Sequence, residues 1–147
     1  MRIGKVLVVC VGNICRSPMA QALLQEALTD TEEISVTSAG LGALVGRPAS
    51  RHAVDLMQER GLDISGHKAK QLTPDLIKDS DLILVMERDH RRAMDSVEPA
   101  ARGKIYRLCE WRDRDIPDPY GEPRKSFEEA LVLIEQGVED WAEKLAA

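Results

Sequence analysis

Cysteine is scarce in this chain. Three residues in 147, two of them only five apart, make no disulfide framework, and a reducing cytoplasm is the simplest home for such a protein. Positive charge is not in excess either: the formal balance of −5 gives the bulk surface no reason to cling to nucleic acid or to anionic membrane. No apolar run approaches the roughly eighteen residues of a membrane-spanning helix, so no membrane insertion is expected. The opening MRIGKVLVVCVGNICRS has a basic start and a short apolar run. Asn, Cys and Arg follow where a signal peptide would carry small residues for cleavage, so the run reads as a buried strand. Internal repeats, low-complexity tracts and linkers are absent. So is any cluster of His, Cys and carboxylates at metal-ligand spacing, and neither a metal nor another cofactor is expected.

What remains is a globular profile, 44% hydrophobic and 31% charged, of the length of one ordinary domain over residues 1–147. Lys5–Cys10 (KVLVVC) is a continuous apolar, β-branched run, the pattern of a strand buried on both faces. Turn residues Gly12 and Asn13 follow, then Ser17-Pro18, read as a helix N-cap with Pro at the first helical position. Ala20, Leu23, Leu24, Ala27 and Leu28 then lie on one helical face. Further strands are expected at Ile34–Thr37, Asp81–Met86 and Lys104–Cys109. Helices are expected at Ala53–Arg60, closed by Gly61, over Arg88–Val97, and through the C-terminal stripe Phe127, Ala130, Leu131, Ile134, Val138, Trp141 and Leu145. Between the last strand and the last helix lies RDRDIPDPYGEP, too long for a mere connector. Strands alternating with helices predict an α/β sandwich of three layers: a small parallel sheet of about four strands with helices on both faces. Ligands of such sheets sit at the carboxyl ends of the strands. That is where Cys10 lies.

Cys10-Val-Gly-Asn-Ile-Cys-Arg16-Ser17 reads as C-x5-R-S between strand and helix. A loop entering a helix turns unpaired backbone N–H groups inward and makes an anion site. Gly12 and Asn13 tolerate the left-handed backbone that curls those groups, from Val11, Gly12, Asn13, Ile14, Cys15 and Ser17, around one centre. Arg16 supplies a planar fork that holds two phosphate oxygens at once. A thiol in that positive field is favoured as the nucleophilic thiolate. Cysteine at the end of an apolar strand is more often a small buried hydrophobe, but Arg16, the Gly-Asn turn and the Ser-Pro helix start reverse that reading. Related loops serve rhodanese-like and other thiol enzymes.

VCVGNICRSP near the N-terminus resembles the signature of the low-molecular-weight protein tyrosine phosphatases. SAGLGALVG (Ser38–Gly46), GHKAKQL (Gly66–Leu72), DLILVME (Asp81–Glu87) and IPDPYG (Ile116–Gly121) continue the resemblance in order along nearly the whole chain. Their wording is most similar to the bacterial branch that partners the tyrosine autokinases of capsule and exopolysaccharide export. The resemblance implies a cytoplasmic, metal-independent phosphatase acting on phosphotyrosine proteins, with Cys10 as nucleophile and Arg16 as phosphate clamp. It implies that Asp118 is the general acid that protonates the leaving phenolate and then activates water; taken alone, Asp118 is a turn residue before proline, and Asp115 is the bystander. Ser17 would bond the Cys10 thiolate, cap the helix, or do both. Asn13, Ser38 and His67 match residues that brace the phosphate loop, although Asn13 also suits a plain left-handed turn and the other two an ordinary surface. Cys15 stands where relatives often carry a second cysteine that traps an oxidised nucleophile; filling space beneath the loop would explain it equally well. Cys109 reads as packing, and His52 and His90 as solvated.

Two departures bear on the substrate. Tyr120 is followed by Gly121 where eukaryotic members usually have adjacent tyrosines, and the variable loop offers Leu41 and Leu44 where many relatives present an aromatic wall. Tyr120 is then the ring left to stack on the substrate. A thiol-dependent arsenate reductase of the same fold is the nearest rival, but its relay needs further cysteines, and DLILVMERDH has none. A non-catalytic phosphate-binding module would keep Arg16 and the loop, with no use for Cys10 together with Asp118.

Overall fold

The apolar run near the N-terminus becomes the centre of the molecule. In a computed structural model, which describes residues 3–31 and 33–146, Lys5–Cys10 is strand β1, buried from Val6 onward. Ser35–Gly40 (β2) pairs with one edge of it and Leu82–Val85 (β3) with the other, and Ile105–Arg107 (β4) lies beyond β3. All pairings are parallel, in the order β2-β1-β3-β4. Helices are Arg16–Ala27 (α1), Arg51–Gln58 (α2), Pro74–Asp79 (α3), Arg88–Val97 (α4) and Arg124–Ala146 (α5).

Alternation along β1 sorts these helices into two layers. Val6 and Val8 face the larger core with Met19 and Leu24 of α1, Leu56 of α2 and Phe127, Leu131 and Ile134 of α5. Leu7 and Val9 face the smaller one with Ile77 of α3 and Met94 of α4. Truncating a fully buried residue of either layer, such as Leu84, costs about 2–5 kcal/mol. The chain leaves β1 for one side of the sheet and β3 for the other, so their carboxyl ends frame the crevice of a topological switch point.

The expected architecture is the one observed, and α4 has its expected span. Some boundaries differ. β2 runs on to Gly40, because its register with β1 continues to the pair Cys10–Gly40. Gly40 is required there: a Cβ would meet the Val11 carbonyl oxygen at 2.5 Å. Helix α1 begins at Arg16, so Ser17 and Pro18 lie inside its first turn and Cys15 occupies the cap position. Ala27 is exposed rather than on the buried face. The short α3, capped by the Thr73 hydroxyl accepting from the Leu76 N–H at 3.2 Å, and a 3-10 turn at Pro99–Lys104 carry too little periodicity to be read in advance.

Candidate active site

Five consecutive carbonyls define the loop after β1. Those of Cys10, Val11, Gly12 and Ile14 accept from the N–H groups of Leu41, Gly42, Leu44 and Ser50, at 2.9, 3.0, 3.1 and 2.7 Å. That of Asn13 accepts from His67 Nε2 at 2.7 Å, which places the ring proton on that nitrogen. A trans peptide points its N–H opposite to its C=O. With the carbonyls drawn outward, the N–H groups of Val11, Gly12, Asn13, Ile14 and Cys15 are turned toward the concave side, at the start of α1. Of the two residues expected to curl the loop, only Asn13 is left-handed, at φ 60°; Gly12 is not.

Asn13 is fully buried and spends its whole side chain on the loop. Its Oδ1 accepts from the Lys70 N–H at 3.0 Å, and its Nδ2 donates to Ser17 Oγ at 2.7 Å and Ser38 Oγ at 3.0 Å. Ser38 passes its own proton to Gln21 Oε1 at 2.6 Å. These bonds set a direction. Ser17 Oγ already accepts from Asn13, so its proton is free for Cys10 Sγ at 2.9 Å. A hydroxyl donated to sulfur favours the charged sulfur. Ser17 therefore serves the thiol and not the helix cap.

Arg16 is the largest fully buried side chain, 1% exposed. Its Nη1 donates to Glu87 Oε2 and to the Ile116 carbonyl, both at 2.6 Å. Its Nε and Nη2 have no hydrogen-bond partner among the described residues. Fixed along one edge, the guanidinium presents the other as two parallel donors, the geometry of bidentate oxyanion binding.

Above this floor a cavity of about 150 Å³ is lined by Cys10, Val11, Gly12, Ile14, Cys15, Gly42, Leu44, Asp118 and Tyr120. Asp118 Oδ2 lies 3.6 Å from Arg16 Nη2, and its Oδ1 accepts from the Tyr120 N–H at 3.1 Å. Of the expected walls, Leu44 and Tyr120 are in place and Leu41 is not. Leu41 packs against the smaller core beneath the sheet, and Gly42 takes its place at the rim. Asp115 is tied elsewhere, its Oδ1 accepting from Arg107 Nη1 at 3.0 Å and the Arg88 N–H at 2.9 Å.

Burial, and then the charge of Cys10, push the Cys15 thiol up to about 12. Cys109 is also raised by burial, and its Sγ donates to the Leu133 carbonyl at 3.1 Å. Among the described residues no group of three or more His, Cys, Asp or Glu is disposed to hold a metal ion. Two residues near the site escaped the sequence reading. Glu87 closes the DLILVME motif without its bond to Arg16 being foreseen. His90, read as solvated, is only 7% exposed; its spacing of four from the buried Met94 was the available sign. His52 is half-buried, with its ring 5.0 Å from that of Phe127.

Residues 5–147 match the family described as low molecular weight phosphotyrosine protein phosphatase. The chain belongs to this family. It is 49% identical to a Ralstonia nicotianae protein named "Probable low molecular weight protein-tyrosine-phosphatase EpsP", over 99% of this chain and 98% of that one. It is 43% identical to the low molecular weight protein-tyrosine-phosphatase Wzb of Escherichia coli K12, over 98% and 97%. Among solved structures, Vibrio vulnificus Wzb in complex with benzylphosphonate superposes with a TM-score of 0.92 at 41% identity, over 97% of this chain and 99% of that one. The four-stranded parallel sheet flanked by helices is thus the fold of this family. Among the described residues no helix is long and apolar enough to cross a membrane.

Proposed function

We propose that the chain hydrolyses phosphotyrosine through a cysteinyl-phosphate intermediate. The reading rests above all on the Arg16 fork: two buried donors without a hydrogen-bond partner among the described residues, beside a sulfur that receives the Ser17 hydroxyl. The N–H groups of residues 11–15 and the fork hold the phosphoryl oxygens and the charge that develops on them. The Cys10 thiolate attacks phosphorus, an S–P bond forms and the P–O bond to the phenol breaks. Asp118 gives its proton to the departing oxygen, then takes one from the water that attacks phosphorus and releases the thiolate. Leu44, Ile14 and Tyr120 offer the ring an apolar passage to the floor. A short phosphoserine would not reach the sulfur while its backbone stayed outside. The partner of this reading is a phosphotyrosine protein of the cytoplasm, specifically the tail of a tyrosine autokinase in exopolysaccharide export. Support for it comes from the motif wording and from relatives named EpsP and Wzb.

Cys10→Ser should abolish turnover of p-nitrophenyl phosphate and phosphotyrosine peptides yet still bind phosphate, because serine keeps the cradle but does not ionise. Arg16→Ala should lose both binding and rate. Substantial activity in Cys10→Ser, or comparable turnover of phosphoserine and phosphotyrosine peptides, would sink the reading.

A further inference from the structure

His90 lies in the first turn of α4, three residues after Glu87, and its Nε2 is 3.3 Å from Glu87 Oε2. That same oxygen is the one 2.6 Å from Arg16 Nη1. A carboxylate only accepts, so the imidazole proton belongs on Nε2; Nδ1 is buried without a partner among the described residues. Nothing in the phosphoryl transfer uses this ring. The charged groups facing it are Arg16 from α1, Glu87 before α4, and Asp115 and Asp118 from the loop ahead of α5. Burial and the Arg16 charge outweigh the three carboxylates and hold His90 below the usual imidazole range, so the ring is a neutral donor at pH 7.

The consequence concerns Glu87. Its side chain is 33% exposed, so water competes for it, and a free carboxylate of that length has several rotamers. A buried ring nitrogen 3.3 Å from the oxygen that grips Arg16 is placed to restrict that freedom. Arg16 Nη1 is held by the Ile116 carbonyl and by this carboxylate together.

We propose that His90 is a positioning residue for oxyanion binding: through Nε2–H it holds the Glu87 carboxylate, which orients the Arg16 fork. The inference relies on the phosphatase reading for its ligand, so binding and turnover are measured separately. The probe is inorganic phosphate, titrated calorimetrically and as a competitive inhibitor. His90→Phe keeps the ring's bulk without the donor and should weaken phosphate about tenfold, the worth of one charge-assisted hydrogen bond. His90→Gln can donate from a similar reach and should recover most of that loss. In a Glu87→Ala background, His90→Phe should add nothing, since the two act through one oxygen. Melting temperatures guard against a packing effect: equal phosphate losses in the Phe and Gln variants, tracking stability, would overturn the proposal. So would unchanged phosphate affinity in a folded His90→Phe protein that still turns over p-nitrophenyl phosphate. Should wild type bind phosphate with the expected pattern yet hydrolyse no aryl phosphate, the positioning role stands and the phosphatase reading falls.

Discussion

The two loops that meet over Cys10 are built on opposite plans. In the phosphate loop Asn13, Arg16 and Ser17 are fully buried, and the carbonyls of residues 10–14 are each hydrogen-bonded away from the centre. In the loop ahead of α5, Asp118 leaves 42% of its side chain exposed. Its nearest partners are a local N–H and the far side of the Arg16 fork. On the proposed mechanism the difference follows from the work of each. Dipoles that stabilise a transferring phosphoryl group are effective when they need not reorganise, which demands burial and full hydrogen bonding. An acid that serves a leaving group and then a water must be reachable by both, which forbids it.

Removing the acid should therefore give the largest effect that spares binding. Asp118→Ala should lower phosphotyrosine turnover about a hundred- to ten-thousandfold, with little change in phosphate affinity. Esters of acidic phenols, which leave without a proton, should suffer far less. The check is the dependence of the phosphorylation rate on phenol pKa. A slope no steeper in the variant than in wild type would move the acid elsewhere, and Asp115 would be next.

The opposite cut is Asn13→Ala. It removes two buried hydrogen bonds and one partly buried one, and replaces a left-handed asparagine with a residue that resists φ 60°. Phosphate affinity and turnover should fall together, by roughly ten- to hundredfold, with about 2–4 kcal/mol lost in unfolding experiments. Asn13→Gly would separate the two causes, since it relieves the backbone but not the bonds. Restoration of full affinity by glycine would show that the side-chain network is dispensable.

A third expectation uses a neighbour inside the rigid loop. If Cys15 captures oxidised Cys10, the Cys10 sulfenic acid and the Cys15 thiolate form a disulfide and release hydroxide. With the Cys15 thiol near 12, its thiolate is rare at neutral pH, and capture should quicken about tenfold per pH unit on the alkaline side. Oxidation of Cys10 removes one of the charges that raise Cys15, so the working value lies somewhat lower. After peroxide, dithiothreitol should restore wild type better than Cys15→Ser, and the gap should widen with pH. A gap that ignores pH would return Cys15 to packing.

The same contrast governs what could be read from the chain. β1 and the phosphate loop were legible because their determinants are contiguous: an apolar β-branched run, then Cys, Asn, Arg and Ser within eight residues. Leu41 was misplaced because a loop residue's side is decided by the turn that follows, here bound to Gln71 through the Leu41 carbonyl and the Ala43 N–H. Glu87 binds a residue some seventy positions away, with His90 beside it, and no local pattern carries that. His90 was hidden by its charged neighbours in RDHRRAMDSV, a helix that buries only one stripe. The exposed loop was legible only where family wording marks Asp118. What anchors it was not.

That anchor is Arg107, and it makes the last and smallest break in the comparison. On β4 the buried Arg107 sends Nη2 to Asp113 and Nη1 to Asp115, while its carbonyl accepts from Trp141 Nε1 at 3.3 Å. A charge 6% exposed thus clips the first half of the acid loop to the sheet, and Asp118 hangs from that clip three residues later. Asp113 and Asp115 are 74% and 47% exposed in their side chains, so much of each pair's attraction is screened. Arg107→Leu, which keeps an apolar stem in the core, should therefore cost only about 1–2 kcal/mol of stability. Its kinetic mark should be selective. With the clip gone the loop still carries Asp118 but no longer holds it over the pocket. Turnover of phosphotyrosine should drop several-fold, while phosphate affinity and the hydrolysis of acidic aryl esters hold. Asp118→Ala in the same background should then cost less than it does alone, because the acid is already partly misplaced. Equal losses for basic and acidic phenols in Arg107→Leu would mean that the damage had reached the phosphate loop, and the two loops would not be separable after all.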